Sequence, residues 1–303
     1  MNQFTIRDIE NLCGVKAHTL RIWEQRYRLF TPKRKESLHR VYDCDDLRQL
    51  LRISFLYHQG YKISRIARMT PGEIQEEISR MKPGCCDLEI YVHQLTEASL
   101  TLDADSFEKT INSLVLRIGL ERTILQVFFP FLQRVGLLWM TNHLIPAQEH
   151  FSSLIIREKI ICALDGLEEP LPGGQNVIIF APEEEWHEIP LLVVNYLLRK
   201  RGIRTTYFGN NIKTETLRYY AKHFPVSHFY SHVITQLDNC GLETVFNEIC
   251  RAFPGQQVIV SGPACGCMRS APPNFLHIHS VDELLEWAQS LTSASHSSSH
   301  PQS

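Results

Sequence analysis

No stretch of this 303-residue chain approaches the roughly 18 uninterrupted apolar residues that a membrane-spanning helix needs, so no membrane partner is expected. The N-terminus lacks the basic-then-apolar pattern of a secretory signal, and a cytoplasmic location is expected. Paired CxxC spacing is missing as well. The nine cysteines (13, 44, 85, 86, 162, 240, 250, 265 and 267) form an odd count without that spacing, which argues against a disulfide framework and a structural zinc site. Cys85-Cys86 and Cys265-x-Cys267 lack a placed third or fourth ligand for a soft metal. No internal repeat is present. Apolar residues at 44% and charged residues at 21% exclude wholesale disorder, and the length suits two or three domains.

The formal net charge of −2 conceals an asymmetry. Between Lys16 and Arg40 eight positive residues (Lys16, Arg21, Arg26, Arg28, Lys33, Arg34, Lys35, Arg40) stand against Glu24 and Glu36, so this stretch carries +6 and the remainder −8. A basic island on an acidic chain suits a local polyanion contact, because each neutralised phosphate releases condensed counterions.

The island coincides with a helix-turn-helix pattern. Thr5 and Asp8 form a capping box ahead of Ile6, Ile9 and Leu12, and Gly14 ends that helix. A second helix follows through Ala17 to Glu24, with Val15, Leu20 and Trp23 facing inward and His18, Arg21 and Gln25 outward. Pro32 to Tyr42 alternates like a small hairpin, a wing, and Asp43 with Asp46 caps a further helix carrying Leu47, Leu50, Leu51 and Phe55. In such motifs the second helix enters the major groove. From Phe4 to about Met69 the residues resemble the MerR family: Thr19-Leu20-Arg21-x-Trp23-Glu24-x-Arg26-Tyr27 in the second helix, Pro32-x-Arg34 entering the wing, His39-Arg40-x-Tyr42 leaving it. The resemblance implies that Lys16, His18, Thr19 and Arg21 approach base edges or phosphates of operator DNA. Arg34, His39, Arg40 and Tyr42 would hold the backbone from the wing.

From about Asp87 to Gly166 the pattern is helical, with Pro130 and Pro146 as the main breaks, and four helices packed side by side would bury its apolar stripes. Trp139 followed, after nine intervening residues, by Glu149-His150 resembles the helical cap of cobalamin-binding regulators of the CarH type. There these three residues line the space above the corrin. Light-sensing members carry a histidine directly after that tryptophan, whereas Met140 stands here and His143 is off register.

After Gly173-Gly174 strands and helices alternate, beginning with a buried strand at Asn176 to Ala181 and ending with a helix at Val281 to Leu291. Such alternation predicts a parallel doubly wound sheet with ligands beyond the carboxyl ends of its strands. Glu185-Trp186-His187, Ser231-His232-Val233 and Ser261-Gly262 fall at those ends. They resemble a cobalamin-binding domain, in which His187 is the lower cobalt ligand and Glu185 orients it. Ser231, Val233, Ser261 and Gly262 would line the cofactor. Two positions depart from the family: Pro190 replaces a glycine, and Ser261 replaces the first of a Gly-Gly pair that lies close to the nucleotide tail. His223, His228 and His232 read as ordinary loop and strand histidines.

The expected architecture is multidomain α and α/β: a winged helix-turn-helix over residues 1–75, a four-helix bundle over 85–168, a flavodoxin-like doubly wound sheet over 174–292, and a disordered tail over 293–303. The function expected is that of a DNA-binding repressor controlled by cobalamin, in its adenosyl form, and by homo-oligomerisation to a dimer or tetramer. RNA polymerase or another regulator is a possible further partner. The alternative is a regulator of the same kind that has lost the cofactor and answers to a protein partner or another ligand. A corrinoid enzyme or methyl carrier is disfavoured, because no catalytic barrel accompanies the cofactor module.

Overall fold

The structure, a computed structural model, describes residues 4–30, 33–34, 40–80, 88–140, 145–170, 175–235, 239–267 and 272–297. The chain divides into two compact units, Met1–Ile155 and Ile156–Ser303.

The first unit begins with α1 (Ile6–Cys13) and α2 (Ala17–Tyr27). Thr5 and Asp8 exchange the two bonds of the capping box, and Gly14 closes α1 in the left-handed conformation at φ 65°. Strands β1 (Lys33–Arg34) and β2 (Arg40–Val41) pair antiparallel, Lys33 opposite Val41 and Arg34 opposite Arg40. The helices α3 (Cys44–His58), α4 (Ile63–Ile66) and α5 (Pro71–Arg80) follow. Asp43 opens α3 by accepting from the amides of Asp45 and Asp46, both at 3.0 Å.

α3 is the spine of this unit. Toward α1 and α2, Gln49 donates to the Leu29 carbonyl at 2.9 Å, His58 meets the Cys13 carbonyl at 3.1 Å, and Tyr57 packs edge-on to Trp23. Toward the middle segment, Arg52 pairs with Glu97 and Phe55 packs edge-on to His93. Both Glu97 and His93 lie on α6 (Glu89–Thr101).

The middle segment continues with α7 (Ala104–Ile118), α8 (Leu120–Thr123), a π-helical turn (Ile124–Phe128), α9 (Phe129–Met140) and α10 (Pro146–Asp165). Since α8, the π turn and α9 follow one another without a break, four rods result among the described residues. Pro146 opens α10, where a missing N–H costs nothing. Pro130, expected to break the chain, instead lies inside α9. The preceding π turn, with the Phe129 amide donating five residues back to Ile124, supplies the wider spacing that accommodates a proline ring.

The second unit carries a five-stranded parallel sheet: β3 (Asn176–Pro182), β4 (Arg204–Ile212), β5 (His228–His232), β6 (Gln257–Ser261) and β7 (Phe275–Ile278), in the order β4-β3-β5-β6-β7. This is the flavodoxin-like order, whose switch point lies between β3 and β5. β3 is buried at all seven positions, as a central strand covered on both faces must be. α11 (Ile189–Lys200), α12 (Thr214–His223), α13 (Asn239–Ala252) and α14 (Val281–Ser297) connect and follow the strands. Ile178, Phe180, Phe229, Phe246, Val258 and Val260 belong to one buried cluster. α14 runs to Ser297, six residues past the expected Leu291 and into the segment read as a disordered tail. Once the turns at Leu284, Trp287 and Leu291 are buried, extending the helix costs little per residue.

Candidate functional site

The reader helix α2 divides as its sequence requires. Leu20 and Trp23 are buried, while Lys16, His18 and Arg21 are exposed and Thr19 is half-buried. Lys16 is 3.2 Å from Glu10. From the wing, Arg40 turns back onto α2: its Nε donates to Glu24 Oε2 at 2.7 Å, and both side chains are largely covered. Arg40 thus braces the wing against the reader helix, a task its sequence position did not reveal. Tyr42 differs from expectation more sharply. It is 1% exposed, its backbone pairs with Phe4 in both directions, and burial pushes its phenol up to about 12. A ring in the core has no reach to a phosphate, so Tyr42 holds the wing's base together instead. β1 places Arg34, and His39 lies outside the described residues.

In the second unit the loop after β3 brings Glu185 and His187 together at the β3/β5 switch point. Glu185 is completely buried. Its Oε1 lies 2.6 Å from His187 Nδ1 and accepts from the His187 amide at 2.9 Å. Oε2 accepts from the amides of Ile234 and Thr235 at 2.7 and 2.8 Å, just beyond β5. Burial alone would raise this carboxyl, but the bonds from His187, Thr235 and Ile234 prevail and hold it down at about 2. The carboxylate therefore stays ionised and orients the imidazole through Nδ1, which places Nε2 on the side away from Glu185. The His187 side chain is 52% exposed, and its neighbour Trp186 is 65% exposed. A buried anion behind a half-exposed imidazole is the second-sphere arrangement of a metal-ligating histidine.

The other predicted residues of this unit lie on and just beyond β5 and β6. Ser231 Oγ is buried without a hydrogen-bond partner among the described residues. Such an orphan costs stability unless a ligand or water meets it. Gly262 has φ +105°, and a Cβ there would stand 2.3 Å from the carbonyl oxygen of the buried Val233. Ser261 Oγ is held by the Tyr230 hydroxyl at 2.6 Å and His232 Nδ1 at 2.7 Å. Burial lowers His232 to about 4, so it is neutral. Pro190 occupies the first turn of α11 without disturbing it. In the first unit, Trp139 is 45% exposed near the end of α9. Glu149 and His150 are neighbours near the start of α10, Oε2 and Nε2 3.5 Å apart. His143 lies outside the described residues. The donor set, an ion-oriented imidazole after β3 and an orphaned buried hydroxyl on β5, fits a corrinoid.

Comparison with known proteins agrees. Residues 4–73 match the family described as MerR HTH family regulatory protein, and residues 91–162 match the B12 binding domain. The HTH-type transcriptional repressor CarH of Myxococcus xanthus is 26% identical over 221 residues, covering 71% of this chain and 73% of that protein. The repressor CarA of the same organism is 25% identical over 215 residues, 70% of each. The chain is homologous to both repressors. These relatives are named as regulators of transcription, not as enzymes. A monomethylamine corrinoid protein of Methanosarcina barkeri superposes with a TM-score of 0.54 at 13% identity, covering 67% of this chain and 99% of that one. That likeness speaks to fold alone. The MerR-type reader, the helical B12-binding segment and the parallel sheet therefore stand in the order that the sequence motifs implied.

Proposed function

We propose that this chain is a transcriptional repressor whose grip on operator DNA is set by cobalamin bound beside His187. The carrying observation is the Glu185–His187 pair: a fully buried carboxylate, satisfied by two further backbone amides, aims a half-exposed imidazole out of the switch-point crevice. When bound, adenosylcobalamin would supply a cobalt centre that accepts a nitrogen donor. His187 is the residue to provide that nitrogen, with Ser231, Val233, Ser261 and Gly262 lining the α/β side. On the helical segment Trp139, Glu149 and His150 are the contact candidates. Lys16, His18, Thr19 and Arg21 face DNA from the reader helix, with Arg34, His39 and Arg40 in the wing. A homo-oligomer would join two weak half-site contacts into useful affinity.

The test is dark reconstitution of the full chain with adenosylcobalamin, desalting, and a visible spectrum. Corrinoid absorbance should be retained by the wild type and lost in His187→Ala. Duplexes drawn from an unbiased pool should bind with an affinity, and an oligomeric state by size-exclusion, that depend on the cofactor. No retained absorbance would leave a DNA-binding protein with some other effector; retention without any selected duplex would remove the regulator.

A further inference from the structure

Glu188, the residue after His187, has both carboxylate oxygens engaged by other elements. Oε2 accepts from Arg157 Nε of α10 at 2.6 Å, and Oε1 accepts from the Tyr207 hydroxyl of β4 at 3.1 Å. Its backbone meanwhile starts α11, the Glu188 carbonyl accepting from the Leu192 amide at 3.1 Å. Burial first, and then the Glu188 charge, push the Tyr207 phenol far above its ordinary range, so it remains a donor at any working pH.

Stability does not account for this convergence of three elements. The Arg157 side chain is 42% exposed and that of Glu188 24%, and a partly exposed ion pair contributes little to folding. Position accounts for it better. Glu185 fixes the loop on one side of His187 through the amides beyond β5, and Glu188 fixes it on the other through β4 and α10. Asn210 adds a bond to the Trp186 carbonyl at 2.9 Å. The backbone that bears the imidazole is thus pinned at 185, 186 and 188.

We infer that Glu188 is a positioning residue for the metal ligand: clamped by Arg157 and Tyr207, it fixes the backbone of His187 and hence the line along which the imidazole meets a corrinoid cobalt. This rests on the proposed cobalamin reading. Groups hydrogen-bonded to a metal-bound histidine are worth about 10–100-fold in binding; Glu188 acts one step further out through the backbone, so its loss should weaken coordination by His187 by the lower end of that range, about tenfold.

The experiment uses full-length protein grown with heavy-nitrogen histidine and loaded with cob(II)alamin. In the electron paramagnetic resonance spectrum a protein imidazole then splits the cobalt lines into two, whereas the cofactor's own base splits them into three. The wild type should show the two-line pattern. Glu188→Ala and Arg157→Met should retain less corrinoid and show the two-line pattern in only a small part of what they keep, with Arg157→Lys restoring both. Tyr207→Phe, a smaller change, should give an intermediate loss and guards against misfolding of the others. Full two-line spectra in folded Glu188→Ala, Arg157→Met and Tyr207→Phe would overturn the inference while leaving the cobalamin reading intact. A wild type that retains no corrinoid would overturn the cobalamin reading and the positioning role with it.

Discussion

Gly262→Ala is the perturbation whose cost the structure defines most sharply. At φ +105° the new methyl carbon would lie 2.3 Å from the Val233 carbonyl oxygen and 2.9 Å from its carbon and nitrogen. These are backbone atoms that cannot rotate away. The Val233 amide donates to the Ser261 carbonyl at 3.0 Å, and the Val233 carbonyl accepts from Ala264 at 3.3 Å, so retreat would break bonds on both sides. Left-handed backbone costs a non-glycine residue about 1 kcal/mol and overpacking about 2 kcal/mol more, for a total near 3 kcal/mol. Gly202→Ala is the control within the same unit: φ is +75° with nothing within 4 Å of the added carbon, so it should cost only about 1 kcal/mol. Urea unfolding, followed by a probe of the α/β unit, measures both. The difference of about 2 kcal/mol corresponds to a further fall of roughly 4 to 8 °C in that unit's Tm. If the two variants are equally stable, the close approach at Val233 is not rigid and the reasoning fails.

Four other substitutions probe the first unit. Burial holds His93 at about 3, with Arg134 and His58 adding repulsion. An unfolded histidine takes its proton near 6.5. Stability that is whole above pH 6.5 should therefore decline as pH falls toward 3, by about 1.4 kcal/mol per pH unit. His93→Leu should flatten that slope in urea titrations at pH 6.5 to 4.5; an unchanged slope would show that His93 is not the group responsible. Arg21→Ala should weaken binding to a selected duplex about tenfold and lower the salt dependence of affinity by about one phosphate. Fluorescence anisotropy at two salt concentrations reads both, and identical salt slopes would remove Arg21 from the interface. Arg40→Ala should weaken the same complex at moderate salt, and Glu24→Gln should weaken it in the same direction because Glu24 holds Arg40 in place. Tighter binding by Glu24→Gln would mean that Arg40 acts as a released cation rather than as a brace.

Much of this molecule is legible in its sequence where a feature is local. The Thr5/Asp8 and Asp43/Asp46 capping boxes sit three residues apart and form as read. The alternation of Leu20 and Trp23 with His18 and Arg21 sorts the faces of α2. Glu185 and His187 meet because they are two residues apart in one loop. What sequence reading misses is set by distant partners. Tyr42 belongs to the core because Phe4, far upstream, pairs with it, and Arg40 faces Glu24 across sixteen positions. The bonds from Ile234 and Thr235 to Glu185 span about fifty. β4 runs on to Ile212, because register shifts against β3 let pairing continue past the glycine at 209. No pattern in the sequence announces Glu188 as the meeting point of α10 and β4.

The π turn before α9 has a geometric consequence for the far end of that rod. A single surplus residue in a helix advances everything beyond it by about 100° around the axis. Phe131, Val135 and Leu138 therefore point into the bundle, and Trp139 emerges on its outside, in a phase that an uninterrupted α-helix from Leu120 would not give. Shortening the segment by one position would wind the indole round toward the interior and turn an apolar flank outward. The small irregularity around Pro130 is in effect a dial that sets which way the tryptophan looks.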